Sequence, residues 1–433
     1  MKIVIAILIF GILVLVHELG HFIFARINGI EVLDFSIGMG PRLCGFKAFG
    51  TQFSVRLLPI GGACMMLGED QDQNMDNERS FYAKNVWQRV SVLFAGPGFN
   101  FILAFIFSLF IIGSEGFDPA TVIKVTENGP AAVAGLQEGD VITKIGKSGV
   151  TFGRDIQSYF LYHELTDEPL KVTVKRNGEK VKLTLLPDKY DKYMLGFSYS
   201  GADNGKAEIL ELSKDYPMEE AGLAVKDIIT KINDTEVVTG TDLMAYFNQT
   251  PLTGEPIEIS YERNGETFTT QVTPKHTYDY SVGFSYNLAG VETNVWETLK
   301  YSVAEVGFWI KDTARGLGKL FSGKIKSDEM GSVVAIADLV GDAYESAKDE
   351  GVKVTLMTLL QISVWLSANL GVMNLLPIPA LDGGKLLFCI IEIVRGKPVD
   401  REKEGMVHLI GMILLMALMV FIFFNDIKNI FFK

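Results

Sequence analysis

The chain has 433 residues, 48% apolar and 21% charged, with 40 basic and 52 acidic side chains and a net charge of −12. A nucleic-acid binder needs a basic face to neutralise phosphates, so this balance argues against that class. A mean hydropathy of +0.24 is too apolar for an ordinary soluble or disordered chain, so the charge must be segregated from long apolar stretches.

At about 150 residues per domain, the length predicts roughly three folding units. Four stretches carry almost no charge: 3–25, 90–112, 354–384 and 405–425. Each is long enough to cross a hydrocarbon core of about 30 Å as a helix. Met1-Lys2 before the first run has the outline of a signal peptide. The run is long for one, however, and no A-x-A site follows, so a retained span is expected. Five basic residues between 385 and 404 (Lys385, Arg395, Lys397, Arg401, Lys403) predict that this loop and the loop 26–85 face the cytoplasm. Both termini and residues 113–353 then lie outside it. That insert holds 25 basic and 38 acidic residues, so essentially all the net charge belongs to it. Segment 50–67 reads as strands with a Pro/Gly break, a hairpin whose edge suits an unwound peptide strand.

The insert repeats at an offset of 87. Pro130-x-x-x-Ala134-Gly135-Leu136-x-x-x-Asp140 recurs from Pro217 to Asp227, Arg176-Asn177-Gly178-Glu179 recurs as Arg263-Asn264-Gly265-Glu266, and Gly196-Phe197-Ser198-Tyr199 recurs as Gly283-Phe284-Ser285-Tyr286. One offset over three blocks means tandem copies of one domain. The Asn-Gly pairs predict tight hairpins. The pattern P-A-x-x-A-G-L-x-x-G-D-V-I resembles the PDZ domains of bacterial proteases, which bind peptides by strand addition. The Gly-Phe strand follows the rest of each copy, so the copies resemble the circularly permuted form. Lys226 stands where the first copy has Gly139, a departure in the loop. Residues 294–321 space apolar groups at helical period and predict an amphipathic helix on the membrane surface or against the insert.

His17-Glu18-Leu19-Gly20-His21 places two imidazoles one turn apart on a helix face, with a glutamate able to take a proton from water on a shared metal. A glutamate between two histidines inside an apolar span is costly without partners. Catalytic zinc normally has three protein ligands. Phe24 and Ile27 occupy the positions where a metzincin has glycine and histidine, and no glutamate lies between Ile37 and Gly68. The remaining candidate inside a span is Asp382, in Asn374-Leu375-Leu376-Pro377-Ile378-Pro379-Ala380-Leu381-Asp382-Gly383-Gly384. Its prolines and glycines predict irregular backbone, tolerated at membrane depth only where it lines a cavity.

H-E-x-x-H in the first span together with N-x-x-P-x-P-x-L-D-G-G in a later one resembles the site-2 protease family of intramembrane zinc metalloproteases. Four spans with a tandem PDZ insert resemble its bacterial branch. Ala95-Gly96-Pro97-Gly98-x-Asn100 and Pro59-Ile60-Gly61-Gly62 match as well. The resemblance implies that His17, His21 and Asp382 bind zinc (Zn2+), that Glu18 is the general base, and that Asn374, with Pro377 in the same motif, contacts substrate. It further implies single-span membrane substrates already trimmed by another protease, such as anti-sigma factors or signal-peptide remnants, and a place in the bacterial plasma membrane. Met330-Gly331-Ser332-Val333-Val334-Ala335-Ile336 departs from the family pattern.

The expected fold is a four-span α-helical membrane protein with a tandem PDZ insert and a membrane-associated β-hairpin. Its expected segments are 1–112 (first half of the membrane core), 113–200 and 201–289 (the two PDZ copies), 290–353 (helical connector) and 354–433 (second half). The competing functional class is a membrane-anchored PDZ adaptor with a structural metal.

Overall fold

The computed structural model describes residues 2–69, 77–200, 205–322 and 333–431. The chain separates into two compact units, Met1–Pro119 with Leu288–Phe432, and Ala120–Asn287.

The first unit opens with helix α1 (Lys2–Ile27), strands β1 (Val32–Ala48) and β2 (Thr51–Met66), and helix α2 (Val86–Glu115). Asn85 caps α2 reciprocally: its side chain accepts from Gln88 N at 3.0 Å, and the Gln88 side chain accepts from Asn85 N at 3.2 Å. Phe49 and Gly50, both at positive φ, make the two-residue turn between β1 and β2. Both strands bend back on themselves. Residues 32–37 of β1 pair with 62–66 on one side and 52–55 on the other, while 42–48 pair with 51–56. Residues 62–66 therefore form an edge, and that edge matters below. Among the described residues, four helices are long and apolar enough to cross a membrane: Lys2–Ile27, Val86–Glu115, Val352–Leu375 and Arg401–Phe421.

In the second unit the elements follow as β3 (Val122–Val125), α3 (Pro130–Val133), β4 (Val141–Ile145), β5 (Ser148–Gly149), α4 (Gly153–Tyr162), β6 (Leu170–Arg176), β7 (Glu179–Leu185), β8 (Asp188–Met194) and β9 (Phe197–Tyr199). The second copy continues with β10 (Ile209–Leu212), α5 (Pro217–Glu220), β11 (Ile228–Ile232), β12 (Thr235–Glu236), α6 (Gly240–Gln249), β13 (Ile257–Arg263), β14 (Glu266–Val272), β15 (Lys275–Ser281) and β16 (Phe284–Tyr286). Each copy builds a four-stranded sheet, ordered β5-β4-β6-β7 and β12-β11-β13-β14. The turns Asn177-Gly178 and Asn264-Gly265 have both residues at positive φ, the geometry a two-residue hairpin requires.

The boundaries 113–200 and 201–289 do not follow the packing. β9 pairs with β10, whereas β16 pairs back with β3. Accordingly Leu195, Phe197 and Tyr199 join the core of the second copy, and Val282, Phe284 and Tyr286 join that of the first. The second copy is nested inside the first, and β8 and β15 pair along their length as its two legs. The Gly-Phe strand closes the first copy but opens the second, so the reading that it closes both is corrected. The physical reason is chain distance: β9 meets β10 across a short connection, which closes at little entropic cost, and β16 is left to complete β3. Identical Gly-Phe-Ser-Tyr blocks cannot announce this exchange.

The two copies share an internal tie. Arg176 Nε and Nη2 donate to Asp140 Oδ1 and Oδ2 at 2.7 and 2.6 Å, and Arg263 does the same to Asp227. Each arginine also donates to a turn carbonyl, Gly135 or Gly222. Lys226, at φ +74, holds the same left-handed conformation as Gly139 at φ +86. Its N–H donates to Ile209 O at 2.8 Å, as Gly139 N–H does to Val122 O at 2.9 Å. The substitution leaves the loop unchanged and costs about 1–2 kcal/mol of backbone strain.

The first unit then resumes with α7 (Val295–Phe321), α8 (Val333–Lys348), α9 (Val352–Leu375), α10 (Asp382–Arg395) and α11 (Arg401–Phe431). α7 sets Val306 and Trp309 against Ala104 and Ile111 of α2 and Val364 and Ala368 of α9, and Thr313 hydrogen-bonds Asn369. Part of its apolar stripe is thus covered by other helices of its own unit, while Trp296, Leu299 and Val303 stay exposed. Met330, Gly331 and Ser332 of the departing segment lie outside the described residues.

Candidate metal centre

α1 carries His17 and His21 on its buried face, one turn apart. A helix packed closely against another offers no room for imidazoles unless its neighbour gives way, and α2 does so at Gly96. A Cβ there would lie 2.3 Å from His21 Nε2 and 2.8 Å from His17 Cε1. The third group arrives from the break between α9 and α10. Pro377 and Pro379 have no N–H to continue the helix, and Gly383 closes the turn so tightly that a Cβ would lie 2.1 Å from Leu376 O. Asp382 begins α10 at that point.

These elements bring three ligand atoms together. His17 Nε2 and His21 Nε2 are 3.1 Å apart, and each lies 3.2 Å from Asp382 Oδ2. The spacings are close to the roughly 3.3 Å between two ligand atoms about 2.0 Å from one tetrahedral centre. Asp382 Oδ2 is buried with no hydrogen-bond partner of regular geometry. The far side of each ring is engaged. His21 Nδ1 lies 2.9 Å from Val92 O, so Nδ1 donates and the neutral ring keeps its Nε2 lone pair toward Asp382. His17 Nδ1 lies 3.1 Å from the Asn100 amide, whose Oδ1 is buried and unpartnered. With that amide turned over, Oδ1 accepts from His17 Nδ1–H and the second Nε2 lone pair is free as well. Two imidazole nitrogens and a carboxylate oxygen aimed at one point suit a borderline divalent cation such as zinc.

A cavity of ≈ 1210 Å³ opens beside this triad. Glu18 and Asn374 line it, together with Gly61–Met66 of the β2 edge and His408 of α11. A Cβ at Gly62 would lie 2.9 Å from Glu18 Cγ, so β2 runs directly against the glutamate. Pro377 is exposed and is not among the cavity residues. The sequence reading passed over the contacts of Val92 and Asn100, because partners some 70–80 positions away leave no spacing signal. Cys64 and Cys389 are buried in an apolar cluster and Cys44 is exposed; all three are free thiols.

A helix-borne H-E-x-x-H completed by a carboxylate from another helix, in a unit with four membrane-length helices, defines a membrane metallopeptidase. The chain belongs to Peptidase family M50, whose family model matches residues 5–418. It is 33% identical over 440 residues to the Zinc metalloprotease RasP of Geobacillus kaustophilus, covering 98% of this chain and 97% of that one. It is 30% identical over 442 residues to the Regulator of sigma-W protease RasP of Bacillus subtilis, and 31% over 441 residues to the Zinc metalloprotease RasP of Bacillus licheniformis, each match covering 98% of both chains. The protein is therefore a zinc-dependent metalloprotease of the site-2 type, and the adaptor reading falls. Among solved structures, an HtrA3 PDZ domain bound to a phage-derived ligand aligns over 21% of this chain and 93% of its own length, at 15% identity and a TM-score of 0.19. At that score the likeness adds nothing to what the strand order of the insert shows.

Proposed function

We propose that this intramembrane protease cuts the membrane segments of single-span proteins at the centre formed by His17, His21 and Asp382, with Glu18 as general base. The observation that carries this is the convergence of three ligand atoms beside a glutamate in one cavity. Zinc held by these residues, when bound, acts as a Lewis acid and brings the pKa of its water to about 7. Glu18 accepts the proton of the attacking water as its oxygen bonds to the peptide carbonyl carbon. The C–N bond then breaks, and Glu18 returns that proton to the departing amine nitrogen. Val92 O and the Asn100 amide keep the two rings oriented. Asn374, on the cavity wall, holds the substrate backbone. A substrate helix hides its carbonyls in internal hydrogen bonds, so it must unwind before attack, and the 62–66 edge of β2 supports pairing with the extended strand that results.

The substrates in this reading are single-span proteins shortened beforehand by another protease; the sigma-regulating name of the Bacillus relative favours anti-sigma factors among them. The insert excludes bulky external domains. One panel tests both claims. Wild type should cleave trimmed substrates and spare untrimmed ones, while Glu18→Gln retains zinc and loses about 10²–10⁴ in turnover. Equal turnover in Glu18→Gln would remove the general-base role, and equal cleavage of untrimmed substrate would remove the filter.

The reading also places the protein in the bacterial plasma membrane with both termini and the insert outside the cytoplasm, on the strength of the basic residues at 385–403. A membrane-impermeant thiol reagent should reach a cysteine at Asn177 from outside intact cells and one at Lys397 only after permeabilisation. The reverse pattern would invert the orientation.

A further inference from the structure

His408 lines the same cavity from α11, and no step above uses it. Its Nδ1 lies 2.9 Å from Ala380 N. A backbone N–H only donates, so Nδ1 must accept, and a neutral imidazole that accepts at Nδ1 carries its proton on Nε2. That Nε2 is screened from solvent and has no hydrogen-bond partner among the described residues. Phe388 packs beside the ring with centroids 5.4 Å apart. Ala380 itself sits at φ +78, a left-handed conformation unusual for a residue with a Cβ, two positions before Asp382. An unusual backbone conformation thus directs an N–H at the one ring nitrogen whose occupation makes the other a donor.

A buried donor without an acceptor is unfavourable and persists where something brought in from outside completes it. On an apolar membrane segment the acceptors are the main-chain carbonyls released by unwinding. We propose that His408 Nε2–H is a substrate-binding donor, taking a main-chain carbonyl of the unwound segment, and that Ala380 N–H fixes the tautomer that makes this possible. The proposal rests on the peptidase reading of the cavity.

Two amide substitutions separate the two ring nitrogens. His408→Asn keeps an acceptor near the Nδ1 position and removes the Nε2 donor; His408→Gln places a donor near Nε2 and removes the acceptor. Cleavage of a single-span substrate in detergent, with zinc binding measured on each protein, reads both. The expected result is a loss of about tenfold or more in kcat/KM for His408→Asn with zinc affinity kept, and a smaller loss for His408→Gln. Wild-type kcat/KM in His408→Asn would overturn the proposal. So would a greater loss in His408→Gln than in His408→Asn, or a loss in His408→Asn matched by lost zinc, because His408 would then only brace the Asp382 turn. Glu18→Gln, assayed beside them, separates the two readings. If it keeps turnover, the peptidase reading and this proposal fall together; if it is inactive and His408→Asn matches wild type, only this proposal falls.

Discussion

In the insert, Asp140 and Asp227 are each 1% exposed, and both oxygens of each are held by an arginine fork. In the helical unit, Asp382 Oδ2 is also buried, yet it faces two imidazole nitrogens and makes no regular hydrogen bond. These two carboxylates of the insert are satisfied internally, whereas the metal-facing groups of the helical unit are buried with their lone pairs open. Internally satisfied charge specifies a fold, and breaking it costs stability. Open groups held by packed helices are under strain that a ligand relieves, which is why they mark the site.

The contrast can be sharpened in the insert, where every effect should be on stability and none on zinc. Asp140→Ala leaves the Arg176 guanidinium without its carboxylate and should destabilise the first copy, read as lost amide-exchange protection in β4 and β6 with zinc content unchanged. Lost zinc would break the distinction between the regions.

Acid offers a second approach to the same pair. Burial pushes the Asp140 carboxyl up, but its bonds from Arg176 and from the Gln137 N–H outweigh this and hold it below the usual carboxylate range. Its folded pKa is thus lower than its unfolded one. The stability it contributes is present above about pH 4 and is lost as pH falls through the folded value. Unfolding of the insert should steepen below about pH 4 in wild type and less so in Asp140→Asn. The smallest expected effect is at Lys226. Lys226→Gly relieves a left-handed side chain and should stabilise the second copy by about 1 kcal/mol in urea unfolding; a loss would mean that the side chain supplies contacts outweighing the strain.

Different parts of this architecture were legible in the sequence for different reasons. His17, Glu18 and His21 stand out because one turn of a helix aligns positions i and i+4, and Asp382 because Pro377, Pro379, Gly383 and Gly384 announce irregular backbone within an apolar stretch. The repeat at offset 87 exposes two copies of one domain. It cannot show which copy each Gly-Phe-Ser-Tyr strand joins, since pairing partners are decided by chain closure and not by the block itself. His408 carries no spacing signal at all. Its significance lies in a contact with Ala380, 28 positions away, across a break whose path no periodicity describes. The sequence predicts a hairpin edge within 50–67, but not that residues 62–66 supply it, because that follows from both strands of the hairpin folding back on themselves.

The central claim is that the ligand atoms of His17, His21 and Asp382 are open because they hold zinc. Zinc titration of metal-free wild type, Asp382→Ala and Asp140→Ala tests it most directly. Wild type and Asp140→Ala should each bind one zinc with the same affinity, while Asp382→Ala, having lost one of three protein ligands, should bind at least about 100-fold more weakly. Full occupancy at unchanged affinity in Asp382→Ala would contradict the account.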